Sequence, residues 1–275
     1  MKEQELYSIG EVSKICNISK KALRFYDKIG IICPDKISEE NNYRYYSRET
    51  LLSVPIVKYF KQMGFKLEEM REFLEGTTYA AHEKGFRMKI EELRELKEEI
   101  QISYLSVKDW YELVLEAESV IENDVTEVSV KYMDALTTCF LEQDFTYNYM
   151  EAVINIEWTN YLESIEKAIK GPVILYFPDY KLKMEGEATK VRILQEIITD
   201  CGDNPTMTLG GHMVASCYHI GPYETINRTY EKIFRWAQDH GYKCEADSVE
   251  RCVTDYWTIR NSDEFVTEVL IKVTR

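Results

Sequence analysis

Apolar positions near the start of the chain recur at helical spacing in two short runs. Ile9, Val12 and Ile15 share one face, and the Ser8-x-x-Glu11 pair ahead of them predicts a capping box. Asn17-Ile18-Ser19 interrupts the run. Ser19 is placed to cap a second helix that turns Ala22, Leu23, Tyr26 and Ile29 inward and stops at Gly30. Lys20, Lys21, Arg24 and Lys28 are left on or beside its outer face. Two short helices across a tight turn, the second one basic, predict a helix-turn-helix that enters a DNA major groove. Glu39-Glu40-Asn41-Asn42 then reads as a hairpin turn and Tyr43-Arg44-Tyr45-Tyr46 as the returning strand, so a wing follows the helices. Ser47 caps a helix that runs to Met63 and stops at Gly64, with Pro55 expected to kink it. A short helix, Leu67–Leu74, closes at Gly76.

From Ala80 to Glu118 the spacing predicts one long helix. Phe86, Ile90, Leu93, Leu96, Ile100, Tyr104, Val107, Tyr111 and Val114 recur at mostly three- and four-residue steps among flanking charges. That pattern fits a coiled coil between two copies of the chain, and a helix packed on its own domain is the plainer alternative. Residues 121–124 read as a linker. Beyond them the pattern repeats in a β-α-β-β order. The first set is Val128–Tyr132 and Leu136–Glu142, helix Ile154–Ile169, then strands Val173–Phe177 and Glu187–Ile193. The second is Met207–Leu209 and Met213–Ile220, helix Thr225–His240, then strands Ser248–Val253 and Phe265–Lys272. The expected class is therefore α+β in three parts: a winged helix-turn-helix over residues 1–76, a dimerising coiled-coil helix over 77–120 and a duplicated β-α-β-β domain over 121–275.

Charge changes this picture in one respect. The net charge of −14 argues against nucleic acid, but residues 8–66 hold 11 Lys and Arg against 6 Asp and Glu, while residues 121–275 hold 15 against 26. A basic head suits phosphates, because counterion release depends only on the groups in contact. An acidic tail attracts cations. The seven cysteines are scattered without a C-x-x-C pair, which argues against a disulfide framework and a Cys-built metal site and favours buried or inert thiols. No apolar run is long enough to span a membrane, and the polar start lacks a signal-peptide core, so a cytoplasmic protein is expected.

Residues 7–76 resemble the head of the MerR family of transcription regulators, through Tyr7-Ser8-Ile9-Gly10-Glu11-Val12, Ala22-Leu23-Arg24-Phe25-Tyr26-Asp27-Lys28-Ile29-Gly30, Tyr43-Arg44-Tyr45-Tyr46 and Met63-Gly64-Phe65. The C-terminal part is similar to the GyrI-like effector domain of multidrug-responsive MerR regulators, through Ala215–Ile220, Gly221-Pro222-Tyr223, Glu250 in Ser248-Val249-Glu250, and Thr267-Glu268-Val269. The chain departs from the pattern at Phe25, where many relatives carry Tyr, at Lys66 and at Pro55. The resemblance implies a homodimer acting on double-stranded promoter DNA together with RNA polymerase. It implies activation by bending and untwisting an over-long promoter spacer when a lipophilic, cationic small molecule binds.

On this reading Lys20, Lys21, Arg24 and Tyr26 lie on or beside the recognition helix as candidates for DNA contact, with Arg24 the foremost because its fork bridges two acceptors and core packing the competing account of the tyrosines. Arg44 and Tyr45 on the wing and Lys61 on the adjoining helix position the protein through phosphates, while Tyr43 and Tyr46 belong to the core. A solvated surface charge is the competing account of each lysine. In the aromatic-rich tail, an aromatic box with one carboxylate suits lipophilic cations. Glu250 is the chosen acid, at the position that matches the drug-contacting acid of the multidrug regulators. Tyr256, Trp257, Tyr218, Tyr223, Trp158, Tyr161 and Tyr147 are candidates for the rings, and Glu224 is a weaker second acid. The competing account makes Glu250 a surface partner of Arg251. No motif calls for a metal or cofactor. An enzyme (a GyrI-like hydrolase with Glu250 as base) lacks a nucleophile–His–acid set, since His82, His212, His219 and His240 are isolated, and a metal- or redox-responsive regulator lacks clustered Cys.

Overall fold

The computed structural model describes residues 5–74, 78–165, 168–198 and 203–275. Gly76, the expected stop of the short helix, and Cys201 lie outside them. The chain divides into two compact units, one up to Glu98 and one from Glu99 onward.

In the first unit, helix α1 (Ile9–Ile15) starts at the predicted capping box, with Ser8 and Glu11 each accepting from the other's backbone N–H. Helix α2 (Lys20–Lys28) is capped by Ser19, whose hydroxyl accepts from the Ala22 N–H. A strand not foreseen, β1 (Leu6–Ser8), pairs with β3 (Arg44–Ser47), which also pairs with β2 (Lys36–Ile37), so the wing is a three-stranded sheet. Val12, Leu23, Tyr26, Tyr46 and Val54 meet in one core. Ile15 and Tyr43 were expected inside and are exposed. Ile15 ends α1 on its solvent side, while Cys16 and Ile18 after it pack on the core, and Tyr43 precedes the paired residues of β3.

Helix α3 (Arg48–Gln62) continues through Pro55 without interruption. The proline has no N–H for the carbonyl one turn back, and the Cys16 thiol, 3.9 Å from Leu51 O, takes up that acceptor. After α4 (Leu67–Leu74) comes α5, Tyr79–Glu122. Gly85 on α5 meets the Phe73 ring, and a Cβ there would come within 2.3 Å of it, so only glycine allows the close approach.

The second unit carries an eight-stranded antiparallel sheet in the order β4-β9-β11-β10-β6-β7-β5-β8. Its strands are β4 (Ser129–Met133), β5 (Leu136–Asp144), β6 (Ile169–Phe177), β7 (Lys190–Ile197), β8 (Thr206–Leu209), β9 (His212–Ile220), β10 (Lys243–Thr254) and β11 (Val266–Thr274). Read outward from the central β10–β6 pair, the two halves mirror each other, β10-β11-β9-β4 against β6-β7-β5-β8. The sequence repeat is therefore a structural repeat in which each half gives its first strand to the other's edge. Those exchanged strands cover edges that would otherwise be open to pairing.

The helix expected over Ile154–Ile169 is the shorter α7 (Ile156–Ser164), and Ile169 opens β6; α6 (Tyr149–Val153) precedes it and was not foreseen. Asn148 and Asn155 each cap a helix through the side-chain oxygen, which fixes where α6 and α7 begin. Helix α8 (Tyr180–Glu185) was not foreseen, and α9 (Asn227–Asp239) was. One sheet face packs against α7 and α9 in a core that includes Trp158, Leu175, Phe177, Tyr230 and Ile233. The last turns of α5 pack Leu113, Ala117 and Val120 on Val253 and Val266 of the other face. Residues 121–122, expected in a linker, thus continue a helix that is already seated on the sheet.

Candidate functional site: a basic helix and two buried acids

On the first unit, Lys20, Lys21 and Arg24 stand exposed along α2, and Arg24 has no acidic partner among the described residues. Phe25 beside it is also exposed. Tyr26, proposed for DNA contact, shares the inward face with Leu23 and is buried, so its ring holds the helix in place instead of reaching a phosphate. Arg44 is likewise drawn inward, its Nε donating to Asp27 Oδ2 at 2.7 Å, which fastens the wing to the recognition helix. Tyr45 is half-buried in β3, and Lys61 is exposed on α3. Sequence reasoning missed Lys58, whose ammonium donates to the carbonyls of Cys16 (2.5 Å) and Asn17 (3.0 Å) at the end of α1. A cation there favours the negative end of that helix.

The ring and acid candidates of the second unit do not form one box. Glu250 is 0 % exposed at the centre of the sheet. Its Oε1 accepts from Lys183 Nζ at 2.7 Å, from the Tyr230 hydroxyl at 2.7 Å and from the Tyr149 hydroxyl at 3.3 Å. Lys183, on α8, is 3 % exposed, and its ammonium lies 4.3 Å from the Tyr230 ring centroid, 5.3 Å from Phe177 and 5.7 Å from Tyr149. A cation, three rings and a carboxylate are therefore already assembled, and the cation is the chain's own. Burial pushes the Tyr149 and Tyr230 hydroxyls well above the ordinary phenol range, and the adjacent Glu250 charge adds to this, so both remain donors. The predicted Tyr223 and Tyr256 join this cluster from the side: Tyr223 stacks on Tyr149 at 4.3 Å and lies 5.9 Å from Tyr256. Gly221, at φ +124°, turns the chain into Pro222-Tyr223, and His219 bonds the Pro222 carbonyl at 3.1 Å, a structural role for that histidine.

Arg251, offered as an alternative partner for Glu250, points to the opposite sheet face as strand alternation requires. There it pairs with Glu268 at 3.0 Å and with Glu116 of α5. Burial works against the Arg251 charge, but the two carboxylates outweigh it and raise the guanidinium above its ordinary value. The predicted Tyr218 belongs to this face too, its hydroxyl donating to Glu116 at 2.8 Å, so it braces α5 on the sheet. Tyr147 lies at the surface, with its hydroxyl donating to the backbone at Glu187 and Leu182. Glu224 sits in a short 3-10 turn and is exposed.

Trp158 and Trp257 come together elsewhere, on a cavity of about 230 Å³ bounded by α5, α7, β6 and the end of β10. Trp110 of α5 also lines it. Trp158 is fixed by its indole N–H, which donates to Gln195 at 2.9 Å, and Tyr161 stacks behind it at 5.6 Å. The carboxylate on this wall is Asp255. It is 3 % exposed, and the bond found for its carboxylate is Oδ1 accepting from the Trp257 N–H at 2.8 Å. Burial pushes its acid up to about 6, against the single pull of that N–H. Among the described residues no Lys, Arg or His comes within ion-pair distance of it, and no cluster of three or more His, Cys, Asp or Glu could hold a metal. Of the described cysteines, Cys139, Cys217 and Cys252 are buried and Cys33 is exposed. No helix among the described residues is long and apolar enough to cross a membrane.

A winged helix-turn-helix followed by a duplicated sheet domain with an aromatic interior defines a DNA-binding regulator fused to a small-molecule sensor. Residues 126–274 match the GyrI-like small molecule binding domain, and the chain belongs to that family. Residues 7–77 match the MerR HTH family of regulatory proteins. The chain is similar to the multidrug-efflux transporter 2 regulator of Bacillus subtilis (strain 168), 23 % identical over 98 % of this chain and 97 % of that one. The multidrug-efflux transporter 1 regulator of the same organism is 38 % identical over 36 % of this chain and 38 % of its own. Among solved structures, an EcmrR–DNA complex covers 98 % of this chain and 100 % of its own at 17 % identity, with a TM-score of 0.49. The chain thus has the build of a ligand-responsive transcription regulator, not of an enzyme.

Proposed function

We propose that this protein is a homodimeric activator that responds to lipophilic cations, in line with the multidrug-efflux regulators it resembles. The observation that supports the ligand class is the cage around Lys183, an interior that holds a positive charge among rings and a carboxylate. The dimer is supported by α5, on which Ile90, Leu96, Ile100, Tyr104, Val107 and Tyr111 remain exposed although they recur at the spacing of a coiled-coil seam. Lys20, Lys21 and Arg24 are the groups proposed to hold DNA, and Tyr45 and Lys61 flank them. Activation follows if the ligand binds the DNA-distorting state more tightly than the resting one.

The test pairs a thermal-shift screen of cationic and neutral lipophiles with transcription from the promoter next to the coding sequence, using purified polymerase. Cationic compounds should raise both the melting temperature and transcript yield, and matched neutral compounds should do neither. Equal responses to both sets would overturn the cationic reading, and no response to either would overturn the sensor reading.

A further inference from the structure

Among the described residues of the second unit, three acids are almost fully buried, Glu250, Glu268 and Asp255. The first two are answered by cations, Glu250 by Lys183, and Glu268 by Arg251 and Lys131. Asp255 alone of the three has no countercharge, and it alone lies on the wall of the tryptophan-lined cavity. A buried carboxylate without a countercharge is costly, and one on a cavity wall marks a candidate site for a ligand that supplies the charge.

We propose that Asp255, with Trp110, Trp158 and Trp257, is the effector site, and that it takes a compact ammonium ion with a single-ring or short-alkyl body. This rests on the lipophilic-cation reading above and names the acid and the size limit within it. The charge class follows from the open carboxylate and the indoles, since indole is the side chain that attracts cations most strongly, while Lys170, the cation in the same lining, is engaged by Glu196 at 2.6 Å. The size class follows from the volume. About 230 Å³ is below the ~300–1,000 Å³ of drug-sized pockets but exceeds the ~150 Å³ that accommodates benzene. Glu250 already has its countercharge, since Lys183 donates to Oε1, although its Oε2 is buried without a hydrogen-bond partner.

The position of the cavity also supplies a readout. Trp110 and Leu113 of α5 form one wall, and β6 forms another. Just beside it, α5 is held to β6 by Asp109, which accepts from the Gly171 N–H, and by Ser106, whose hydroxyl donates to Ile169 O at 3.3 Å. A molecule bound between these elements touches the helix directly and biases how it is seated on the sheet.

The test is a tryptophan-fluorescence titration of the full-length protein with benzyltrimethylammonium, its neutral isostere neopentylbenzene and the bulkier tetraphenylphosphonium. The wild type should bind benzyltrimethylammonium most tightly of the three. Asp255→Asn should weaken it about tenfold while leaving neopentylbenzene within about twofold. Trp257→Ala, at a side chain that is 61 % exposed and so safe for folding, should weaken both single-ring compounds. Cation binding that survives both substitutions would overturn the site and leave the lipophilic-cation reading standing. Preference for tetraphenylphosphonium would overturn the size limit, and indifference between the cation and its isostere would overturn the charge class in both.

Discussion

Glu250 and Asp255 lie on one short stretch of chain and are almost equally buried, yet the fold treats them in opposite ways. Glu250 receives a lysine and two phenolic hydroxyls, whereas Asp255 receives a backbone N–H at the edge of a cavity. The DNA-binding head repeats the contrast with arginines: Arg44 is closed by Asp27 and Arg24 is left open on the recognition helix. The difference teaches that burial alone does not mark a functional charge. A closed charge holds elements together, and an open one is available to a partner from outside.

The largest effect should come from opening a closed pair. Lys183→Met strands the Glu250 charge in the core and should lower stability by about 3–5 kcal/mol in urea unfolding, with most of the loss regained in the Lys183→Met/Glu250→Gln double variant. If the single variant is as stable as the wild type, the pair is not what holds α8 on the sheet.

Removing the open acid should do the reverse. Because burial raises Asp255 from the ordinary 3.8 to about 6, the folded state binds its proton more tightly than the unfolded state between those values. Stability therefore falls as pH rises through that window, and the full cost, about 3 kcal/mol as an upper figure, is present above pH 6. Asp255→Asn should be more stable than the wild type at pH 7, and the gain should vanish on acidification below 3.8. The other charged and titratable groups near that wall, Lys170, Cys252 and Asp109, are unchanged by the substitution, so the difference between the two pH curves isolates Asp255. A loss of stability at pH 7 would place Asp255 with the closed charges.

The smallest effects belong to the head. Arg24→Ala should weaken promoter binding by about 1–3 kcal/mol at moderate salt, and Arg44→Ala by less than about 1 kcal/mol, since its guanidinium is already engaged with Asp27. Equal losses in a mobility-shift titration would erase the distinction between open and closed arginines.

Legibility differed between these regions for a physical reason. The elements of the head were readable nearly one by one, because capping boxes, helix stops and turn signals act within a few positions of one another, though the degree of burial of Ile15, Tyr26 and Tyr43 was not. What was missed there came from longer range: Lys58 reaching back to α1, and β1 completing the wing sheet. In the sensor, the repeat and most strands were readable, but α6 went unread and the helix expected over Ile154–Ile169 is only Ile156–Ser164. The site was the least legible part. Glu250 was picked out as the acid, yet its lysine lies 67 residues away on a helix that left no clear periodic signal. Asp255, followed directly by Tyr256-Trp257, carried a readable hint of an acid among rings, and Trp110 on the long helix carried none.

The sequence by itself determined that a basic helix-turn-helix precedes a long helix and an acidic, duplicated, aromatic-rich domain, since composition, caps and periodicity are local properties of the chain. Only the tertiary structure decided which charges are spent. Whether a carboxylate is paired depends on what distant strands and helices bring within about 4 Å of it: α6, α8 and α9 supply the partners of Glu250, while α5 and α7 leave a cavity beside Asp255.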